Sequence, residues 1–265
     1  MIQQKATVQW NHPVSSDCFH LGLTTDRAFA KTVPGQFIMV QISPHDTPLL
    51  RRPFSVFGRW SDKETFKGIE LLVKIVGQGT RMLSQVQTGD ELDILGPLGH
   101  GFRWSTKHQR IYLAAGGIGV APIRFLATEL VEQGFSPKKC RVFLGGRNKR
   151  DLLCRDDFKA LGIPLTVTTD DGSDGDQCLI TDPLASAIKD SAPDMVYACG
   201  PQAMLSCVAG IVERTPVPCQ VSIETLMACG LGACLGCAVE SRQDQDTYLH
   251  ACVNGPVFNV QQIRW

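Results

Sequence analysis

Four cysteines in the last fifth of the chain have the spacing of ligands for an iron–sulfur cluster. Cys229, Cys234 and Cys237 form a C-x4-C-x2-C run, and Cys252 follows after fourteen intervening residues. Plant-type [2Fe–2S] centres are held by four thiolates in this C-x4-C-x2-C…C arrangement. A cluster of this type carries one electron at a time, so the spacing predicts an electron-transfer site near the C-terminus.

Two other chemistries are open to the same four cysteines, a structural zinc site and a set of buried thiols. Zinc ribbons usually contain two well-separated C-x2-C pairs, whereas only one such pair is present here. Gly230, Gly232 and Gly236 lie within the run. Glycines permit positive φ and leave room for backbone N–H groups to reach the sulfurs. The spacing therefore favours the iron–sulfur interpretation.

A glycine-rich turn is the second candidate site. Residues 115–122, AGGIGVAP, directly follow the apolar segment IYLA and precede a segment with helical spacing. Glycines at such a turn let a dinucleotide pyrophosphate approach the backbone and the positive end of the helix. The turn only approximates G-x-G-x-x-G, and a tight strand-to-helix turn without a ligand is the alternative.

The N-terminal half contains residues suited to a phosphate and an aromatic ring. Arg52 can donate two parallel hydrogen bonds to a phosphate, Phe54 offers a stacking face, and Ser55 a small donor and acceptor. Gly79 and Thr80 precede a short predicted helix and form a second candidate phosphate seat. A solvated arginine at a strand end and an ordinary core phenylalanine are the alternative.

Three later segments are candidates for a nucleotide. Residues 199–201, CGP, end the apolar strand MVYA, where ligands of open α/β sheets bind, although a strand-ending turn with a buried thiol fits equally. No histidine is paired with this cysteine, so it has no predicted nucleophilic role. Asp170 or Asp171 could accept a ribose hydroxyl, or form a plain Asp-Gly turn. Residues 147, 149 and 150 are basic and could meet a 2′-phosphate.

The elements that must position these residues follow two patterns. In the first hundred residues, short β-rich segments separated by turn residues predict an antiparallel barrel. After about residue 107, strands alternate with helical segments, which predicts a doubly wound parallel sheet. From about residue 218 the periodicity gives way to a Gly- and Cys-rich tail. We predict three units: 1–103 for the barrel, 104–217 for the α/β domain and 218–265 for the cluster module.

Composition and local patterns disfavour several classes of protein. The 265 residues contain 26 Lys plus Arg and 26 Asp plus Glu, so a general nucleic-acid binder is disfavoured. The longest uncharged run, 195–212, is interrupted by Cys-Gly-Pro-Gln and would not span a membrane as one helix. The start has no signal-peptide pattern. We expect a cytoplasmic protein whose eleven cysteines are reduced.

Taken in order, these motifs resemble the ferredoxin–NADP reductase superfamily, which combines a flavin-binding barrel with a nucleotide domain. The tail narrows the resemblance: SIE at 222–224, MACGLGACLGCAV at 227–239 and CVNGPVF at 252–258 look like the electron-transfer subunits of type B dihydroorotate dehydrogenase. LLRRPFSV, GQGTRMLS and LGPLGHGF fit the same family. The resemblance covers essentially the whole chain.

The resemblance implies three sets of ligands. The implied FAD contacts are Arg52, Pro53, Phe54, Ser55, Leu72, Val73, Lys74, Gly79 and Thr80. The implied contacts of NAD are Gly116, Gly117, Ile118, Gly119, Ala121, Pro122, Cys199, Gly200 and Pro201. The implied cluster ligands are Cys229, Cys234, Cys237 and Cys252. Phe54 replaces the usual Tyr, which keeps the stacking surface but removes a hydroxyl hydrogen bond to the flavin, and Gly58 stands where a second Ser or Thr is common. The resemblance therefore predicts that a flavin is bound but does not predict its redox potential.

The resemblance also implies an activity and a partner. Electrons from dihydroorotate would reach FMN in a separate catalytic subunit and then pass through the cluster and FAD to NAD+, in a heterotetramer with two copies of each subunit that serves pyrimidine biosynthesis. No base for abstracting a substrate proton is evident in this chain, in agreement with that division. The alternatives are a reductase subunit of a sulfhydrogenase or electron-bifurcating ferredoxin–NADP(H) complex, and a zinc-stabilised nucleotide sensor without turnover.

Overall fold

The N-terminal region folds into a closed barrel of six antiparallel strands. The computed structural model describes residues 1–43, 48–105, 107–244 and 246–265. The barrel order is β1-β2-β5-β4-β3-β6, which confirms the predicted antiparallel barrel. Its strands are β1 (Ile2–Pro13), β2 (Cys18–Thr24), β3 (Phe37–Val40), β4 (Arg52–Asp62), β5 (Thr65–Lys74) and β6 (Glu91–Leu98), and a short helix, α1 (Gln78–Leu83), follows β5.

The second region is a six-stranded sheet covered by helices, as predicted for a doubly wound nucleotide domain. Its order is β14-β11-β10-β7-β8-β9, and all neighbours are parallel except β14 and β11. The strands are β7 (Ile111–Gly116), β8 (Cys140–Gly146), β9 (Leu165–Thr169), β10 (Met195–Cys199), β11 (Cys219–Ser222) and β14 (Val257–Asn259). The helices are α2 (Val120–Glu132), α3 (Arg155–Ala160), α4 (Thr181–Asp190) and α5 (Gln202–Glu213).

The C-terminal region is more regular than its sequence suggests. Its Gly- and Cys-rich loop is followed by a two-stranded hairpin of β12 (Ala238–Glu240) and β13 (Tyr248–His250). The sequence loses its periodicity near residue 218, but the large sheet does not end there, because β11 and β14 join it. Strands of three or four residues are too short to show an alternating pattern on their own.

One helix begins later than the composition of its segment indicates. The segment 151–161 has helical composition, but Cys154 adopts a left-handed conformation with φ of 62°, so α3 starts at Arg155. A left-handed residue cannot continue a right-handed helix. The preceding residues instead form a short 3-10 turn, which brings Asp151 to face the barrel.

The barrel and the nucleotide domain pack against each other through shared apolar clusters. Phe125 of α2 is buried among the barrel's core side chains, while Phe57 and Leu72 of the barrel are buried with the side chains that cover β7 and α2. Because these apolar side chains are buried between the two regions, they hold the regions together and so determine the shape of the cleft between them. Among the described residues, no helix combines the length and apolarity needed to cross a membrane.

Candidate cofactor and electron-transfer sites

A cavity of about 450 Å³ opens between the barrel and the segment that follows β11. This volume lies in the range typical of small-molecule sites. Every residue predicted to contact FAD lines this cavity, and we call it the barrel cavity. The nine residues are Arg52, Pro53, Phe54, Ser55, Leu72, Val73, Lys74, Gly79 and Thr80.

Local backbone structure explains why the barrel side of this cavity remains open. Residues 52–55 at the start of β4 are all half-buried, whereas Val56 is fully buried. Arg52 donates from Nη1 to the carbonyl of Leu50 at 2.7 Å, which holds the guanidinium at the cavity rim. The Thr80 hydroxyl accepts hydrogen bonds from the backbone N–H groups of Val76 (2.9 Å) and Gly77 (3.2 Å) and shapes the turn before α1.

The last residue of β11 and the residues that follow it also line this cavity, and the sequence analysis assigned them no role. Ser222, Glu224 and Thr225 line the barrel cavity. The Thr225 hydroxyl is buried without a hydrogen-bond partner among the described residues. Glu224 is exposed overall, but the protein around its carboxyl removes part of the hydration of that group and raises its pKa. The sequence motif SIE at 222–224 was the signal that could have identified this part of the cavity wall.

A second cavity, of about 550 Å³, lies over the carboxyl ends of β7, β8 and β10, and we call it the sheet cavity. Ligands of open α/β sheets bind at such a position. Six of the residues predicted for NAD line it: Gly116, Gly117, Ile118, Gly119, Gly200 and Pro201. Cys199 and Ala121 line the barrel cavity instead, and Pro122 is buried in the first turn of α2 and lines neither.

Two glycines of the turn serve different purposes. A Cβ on Gly119 would lie 2.5 Å from the carbonyl oxygen of Cys199, so glycine permits α2 to pack directly on the end of β10. Gly117 has φ of +52° and open space around it, so its left-handed backbone is exposed to the cavity. The turn therefore presents bare backbone at the start of a 13-residue helix, as phosphate binding requires.

The two cavities meet at a common wall formed by Lys74, Ile118 and Glu224. The Lys74 ammonium lies 2.7 Å from a carboxylate oxygen of Asp151 and 3.3 Å from one of Asp17. Burial opposes its charge, but the hydrogen bonds that Lys74 donates to Asp151 and Asp17, together with the negative charges of both carboxylates, outweigh burial and raise the pKa of Lys74. Lys74 thus joins the barrel to the nucleotide domain and stays charged beside both cavities.

Of the acidic and basic residues predicted near the ribose, the structure brings only two to the sheet cavity. Arg147 and Asp170 line it. Lys149 and Arg150 do not line it. The Asp171 carboxylate accepts from the backbone N–H of Ser173 at 2.9 Å, which is the plain turn that the sequence left open.

The four predicted cluster ligands lie in the C-terminal loop and the turn after the hairpin. The Sγ atoms of Cys237 and Cys252 are 3.2 Å apart and both residues are buried. The Cys229 sulfur accepts hydrogen bonds from the backbone N–H groups of Leu231 (3.3 Å) and Cys234 (3.4 Å). Burial opposes ionisation of Cys229, yet these donors prevail and lower the pKa of its thiol to about 6.

Two glycines of this loop have the positive φ that the sequence predicts, and each packs closely against a neighbouring side chain. Gly230 has φ of +72°, and a Cβ there would lie 2.6 Å from the Met39 side chain of β3. Gly232 has φ of +82°, with Val253 at 2.6 Å. Among the described residues, no three His, Cys, Asp or Glu side chains converge on a single metal ion. A two-iron centre instead distributes its four thiolates over two irons.

The polar and aromatic groups at each site fit the cofactor that the family resemblance implies there. Backbone N–H groups directed at cysteine sulfur are the hydrogen bonds that tune iron–sulfur centres. The orphaned Thr225 hydroxyl and the half-buried Phe54 give the barrel cavity a free polar group and an aromatic surface for a flavin. The open backbone at Gly117 gives the sheet cavity its phosphate seat.

Comparison with known families agrees with this division into three sites. Residues 5–104 match the oxidoreductase FAD-binding domain, residues 113–210 the oxidoreductase NAD-binding domain, and residues 224–264 the iron–sulfur cluster binding domain of dihydroorotate dehydrogenase B. The cofactors of the chain are therefore FAD, NAD and an iron–sulfur cluster. The zinc interpretation is disfavoured by the same match.

Curated relatives cover nearly the whole chain. The chain is 39% identical over 236 residues to the electron transfer subunit of dihydroorotate dehydrogenase B (NAD(+)) from Desulforamulus reducens, covering 88% of this chain and 87% of that one. The subunit of the same name from Listeria monocytogenes is 34% identical, with full coverage of both chains.

Solved structures agree with the fold. The NADH-dependent reduced ferredoxin-NADP oxidoreductase superimposes with a TM-score of 0.83 at 26% identity, covering 98% of this chain and 90% of that one. The cytochrome b5 reductase domain of Ulva prolifera nitrate reductase, at 18% identity and a TM-score of 0.65, covers 80% and 93% and supports the fold alone. The relatives at 32–39% identity fix the assignment: the chain belongs to the family of dihydroorotate dehydrogenase B electron transfer subunits.

Proposed function

We propose that this chain carries electrons between an FMN-bearing dihydroorotate dehydrogenase subunit and NAD+. The proposed ligands of a [2Fe–2S] cluster are the four cysteines 229, 234, 237 and 252, FAD binds in the barrel cavity, and NAD(H) binds in the sheet cavity. When bound, a nicotinamide exchanges a hydride, a flavin converts between two-electron and one-electron transfer, and an iron–sulfur cluster carries single electrons.

The observation that carries this proposal is the linear order of the three sites. The sheet and barrel cavities share a wall at Lys74, Ile118 and Glu224. Met227 also lines the barrel cavity and is separated from Cys229 of the cluster loop by a single residue. The order is therefore nicotinamide, flavin, cluster, as hydride-to-single-electron conversion requires.

The chain's own residues bind and orient the two nucleotides. We assign phosphate binding to Arg52, stacking to Phe54, and a hydrogen bond to the flavin to the orphaned Thr225 hydroxyl. In the sheet cavity, the backbone at Gly117 and the start of α2 would hold the pyrophosphate. Gly200 and Pro201 would contact the nicotinamide half from β10.

The four cysteines would share the cluster in two environments. Cys229 already accepts backbone hydrogen bonds, whereas burial and the neighbouring Cys237 raise the pKa of the Cys252 thiol to about 12. The positive charge of iron would compensate for this burial, because metal ligation requires thiolates. Reduced cysteines are needed for this chemistry, and we place the chain in the cytosol on that ground.

We propose the boundaries 1–103, 104–217 and 218–265 for the flavin, nucleotide and cluster units. The matched family spans, 5–104, 113–210 and 224–264, support these limits. The cluster unit nevertheless contributes β11 and β14 to the nucleotide sheet. The third unit is therefore expected to unfold together with the second.

The partner would dock over the cluster loop. Four apolar side chains around the cysteines are exposed, at 91% for Leu226, 58% for Leu235, 45% for Leu231 and 45% for Val253. Residues 225–239 contain no charged side chain, and the cores of interfaces are depleted in charge. We therefore propose that the FMN-bearing subunit covers these side chains, in a heterotetramer with two copies of each subunit.

The test is reconstitution with the catalytic subunit. The isolated chain should not oxidise dihydroorotate, whereas the mixture should form NADH from dihydroorotate and NAD+. Turnover of dihydroorotate by the isolated chain would contradict the proposal. So would a purified chain that contains zinc but no iron or flavin.

A second candidate rests on the TM-score of 0.83 to the NADH-dependent reduced ferredoxin-NADP oxidoreductase. That likeness makes a reductase subunit of a ferredoxin-linked or sulfhydrogenase-type complex the alternative. The reconstitution separates the two, because only the first function couples dihydroorotate to NAD+. Electron transfer from NADH to ferredoxin, without coupling to dihydroorotate, would support the alternative.

A further inference from the structure

Lys74 places a positive charge in the wall between the two cavities, where the proposed function brings the nicotinamide to the flavin. Its side chain is only 19% exposed, so water screens this charge poorly. A flavin gains electrons when it is reduced, and a positive charge close to its ring therefore stabilises the reduced form and raises its redox potential. An unpaired Lys74 would make the reduced flavin a weaker donor to NAD+.

One carboxylate that pairs with Lys74 comes from the barrel. An oxygen of Asp17, in the turn before β2, lies 3.3 Å from Nζ. The antiparallel register places Cys18 opposite Lys74, which brings this turn beside the end of β5. The other oxygen of Asp17 accepts a hydrogen bond from the Ser15 hydroxyl at 3.0 Å, and its carbonyl accepts one from the N–H of Ile75 at 2.7 Å. The acid is therefore fixed in place.

The other carboxylate comes from the nucleotide domain. One oxygen of Asp151 lies 2.7 Å from Nζ of Lys74, and the second accepts a hydrogen bond from Nε of Arg147 at 3.0 Å. Lys74 and Arg147 carry two positive charges against the two negative charges of Asp17 and Asp151, so the network is neutral. Each of the two large regions thus supplies one acid that cancels charge at the shared wall.

We propose that Asp17 and Asp151 keep the redox potential of the flavin low by cancelling the charge of Lys74, so that electrons can continue to NAD+. This inference rests on the proposed function, because it requires FAD in the barrel cavity and a nicotinamide in the sheet cavity. Neither acid lines the barrel cavity, so both are positioning residues that act on the flavin through the charge of the network.

The experiment measures the midpoint potential of the flavin with an electrode and mediator dyes, on the chain loaded with its flavin and cluster. Asp17→Asn leaves one positive charge uncompensated and should raise the potential, and Asp151→Asn should do the same. Lys74→Gln leaves one negative charge uncompensated and should lower it. Each change should alter the ratio of reduced to oxidised flavin about tenfold, which is about 30 mV for a two-electron couple.

A double variant separates charge from packing. Asp17→Asn combined with Lys74→Gln makes the network neutral again and should return the potential close to the wild-type value. A loss of packing would not be reversed by a second substitution. Asp62→Asn removes a carboxylate at the exposed end of β4, seven residues beyond Ser55 and on the order of 20 Å away. This control should leave the potential unchanged, because salt screens exposed charges beyond about 10 Å.

Two results would overturn the inference. One is an unchanged potential in Asp17→Asn, or a shift in the same direction in Asp17→Asn and Lys74→Gln. The other is loss of FAD from Lys74→Gln with an unchanged potential in the fraction that retains it, which would assign Lys74 to phosphate binding. The electrode needs no NADH, so the proposed function fails separately: a wild-type flavin that NADH does not bleach would contradict the adjacent cofactor sites.

Discussion

Arg52 differs from the neighbouring Arg51 in what its guanidinium faces. Arg52 lines the barrel cavity, whereas Arg51 is held by Asp93 at 2.6 Å and does not line it. Arg52→Ala should weaken FAD binding roughly ten- to hundredfold, because a charge-assisted phosphate contact is lost. The measurement is the dissociation constant of FAD for the deflavinated protein.

The neighbouring arginine supplies the matched control for this prediction. Arg51→Ala removes the same charge one residue earlier and should lower thermal stability through the loss of its pair with Asp93, while FAD affinity stays near wild type. An FAD affinity reduced equally in both variants would mean that general destabilisation, and not a phosphate contact, explains the effect.

Cys234 is the most accessible of the four candidate cluster ligands. It is exposed, and its sulfur accepts from the backbone N–H of Gly236 at 3.5 Å. Cys234→Ser should abolish most of the iron content and the visible absorbance of the cluster, yet leave FAD bound, because the barrel cavity has its own walls. Cys178→Ser, at a free cysteine outside the loop, should retain two irons per chain.

At the scale of elements, the contact between α2 and β10 determines the shape of the sheet cavity. Gly119→Ala would place a Cβ 2.5 Å from the Cys199 carbonyl, and backbone atoms cannot yield as a flexible side chain does. We expect lower stability and loss of flavin reduction by NADH, with FAD content retained. The measurement is stopped-flow bleaching of the flavin together with thermal unfolding.

A glycine in α5 is the control for that substitution. Gly210 lies inside α5 with nothing within 4 Å of its Cβ position. Gly210→Ala should raise the unfolding free energy by about 0.5–1 kcal/mol, because alanine restricts the unfolded chain and favours helix. Normal NADH reduction in Gly119→Ala would show that the close approach of α2 and β10 is dispensable.

The barrel has an acid-sensitive pair between β6 and the segment before β4. Burial opposes ionisation of Asp93, but hydrogen bonds from Arg51 and Gln3 outweigh it and lower the pKa of its carboxyl. A carboxyl with a lowered folded-state pKa stabilises the fold above the unfolded value, near 3.9, and this stabilisation is lost as pH falls through the folded pKa. Asp93→Asn should cost about 1.5–3 kcal/mol at pH 7.

The cost of Asp93→Asn should diminish as pH falls below about 4, because the carboxyl of the unfolded wild-type chain then begins to bind a proton, and it should disappear once pH lies below the lowered pKa of the folded state. Denaturant unfolding at pH 7 and at pH 3 measures the difference, with Asp62→Asn as the control at an exposed end of β4. A cost that is equal at both pH values would show that the pair contributes by packing and not by charge.

The periodicity of the sequence predicted the long strands and helices, and the family resemblance predicted the flavin contacts. Neither predicted the residues that line a cavity only because the folded chain brings distant segments together. The β4 and α2 segments have patterns that their own sequence specifies. By contrast, Glu224 and Thr225 gain their position only because β11 joins the sheet beside β10, where they face the barrel. The left-handed Cys154, which delays α3 and turns Asp151 toward Lys74, has no sequence signature, since cysteine rarely adopts this conformation.

At the scale of the whole molecule, the two large regions act as one frame. Phe125 from α2 lies in the barrel core, and the Lys74–Asp151 pair crosses the cleft at 2.7 Å. Mutual burial of this kind keeps the two cavities in contact, so a nicotinamide in one can reach a flavin in the other. The cluster loop is attached to the same frame, through Gly230 against Met39 of the barrel.

The exposed leucines of the cluster loop provide the test of assembly. Leu226 and Leu235 are 91% and 58% exposed, and neither is needed to line a cavity. The double variant Leu226→Ser, Leu235→Ser should weaken binding to the FMN-bearing subunit about tenfold or more, because apolar anchors at the centre of an interface dominate its affinity.

Flavin reduction by NADH within the isolated chain shows whether a variant affects the cofactors themselves or only the binding of the partner. In that double variant, NADH should bleach the flavin at the wild-type rate, whereas NADH formation from dihydroorotate should require a higher concentration of the partner. Val14→Ser, at a 48% exposed position on the barrel, alters a similar apolar side chain far along the sequence from the loop and should leave both measurements unchanged.

Because the cluster carries single electrons only over short distances, a partner that bound elsewhere would leave it unused. Wild-type coupling in the double variant would place the docking surface away from the cluster loop and contradict the proposed path of electrons.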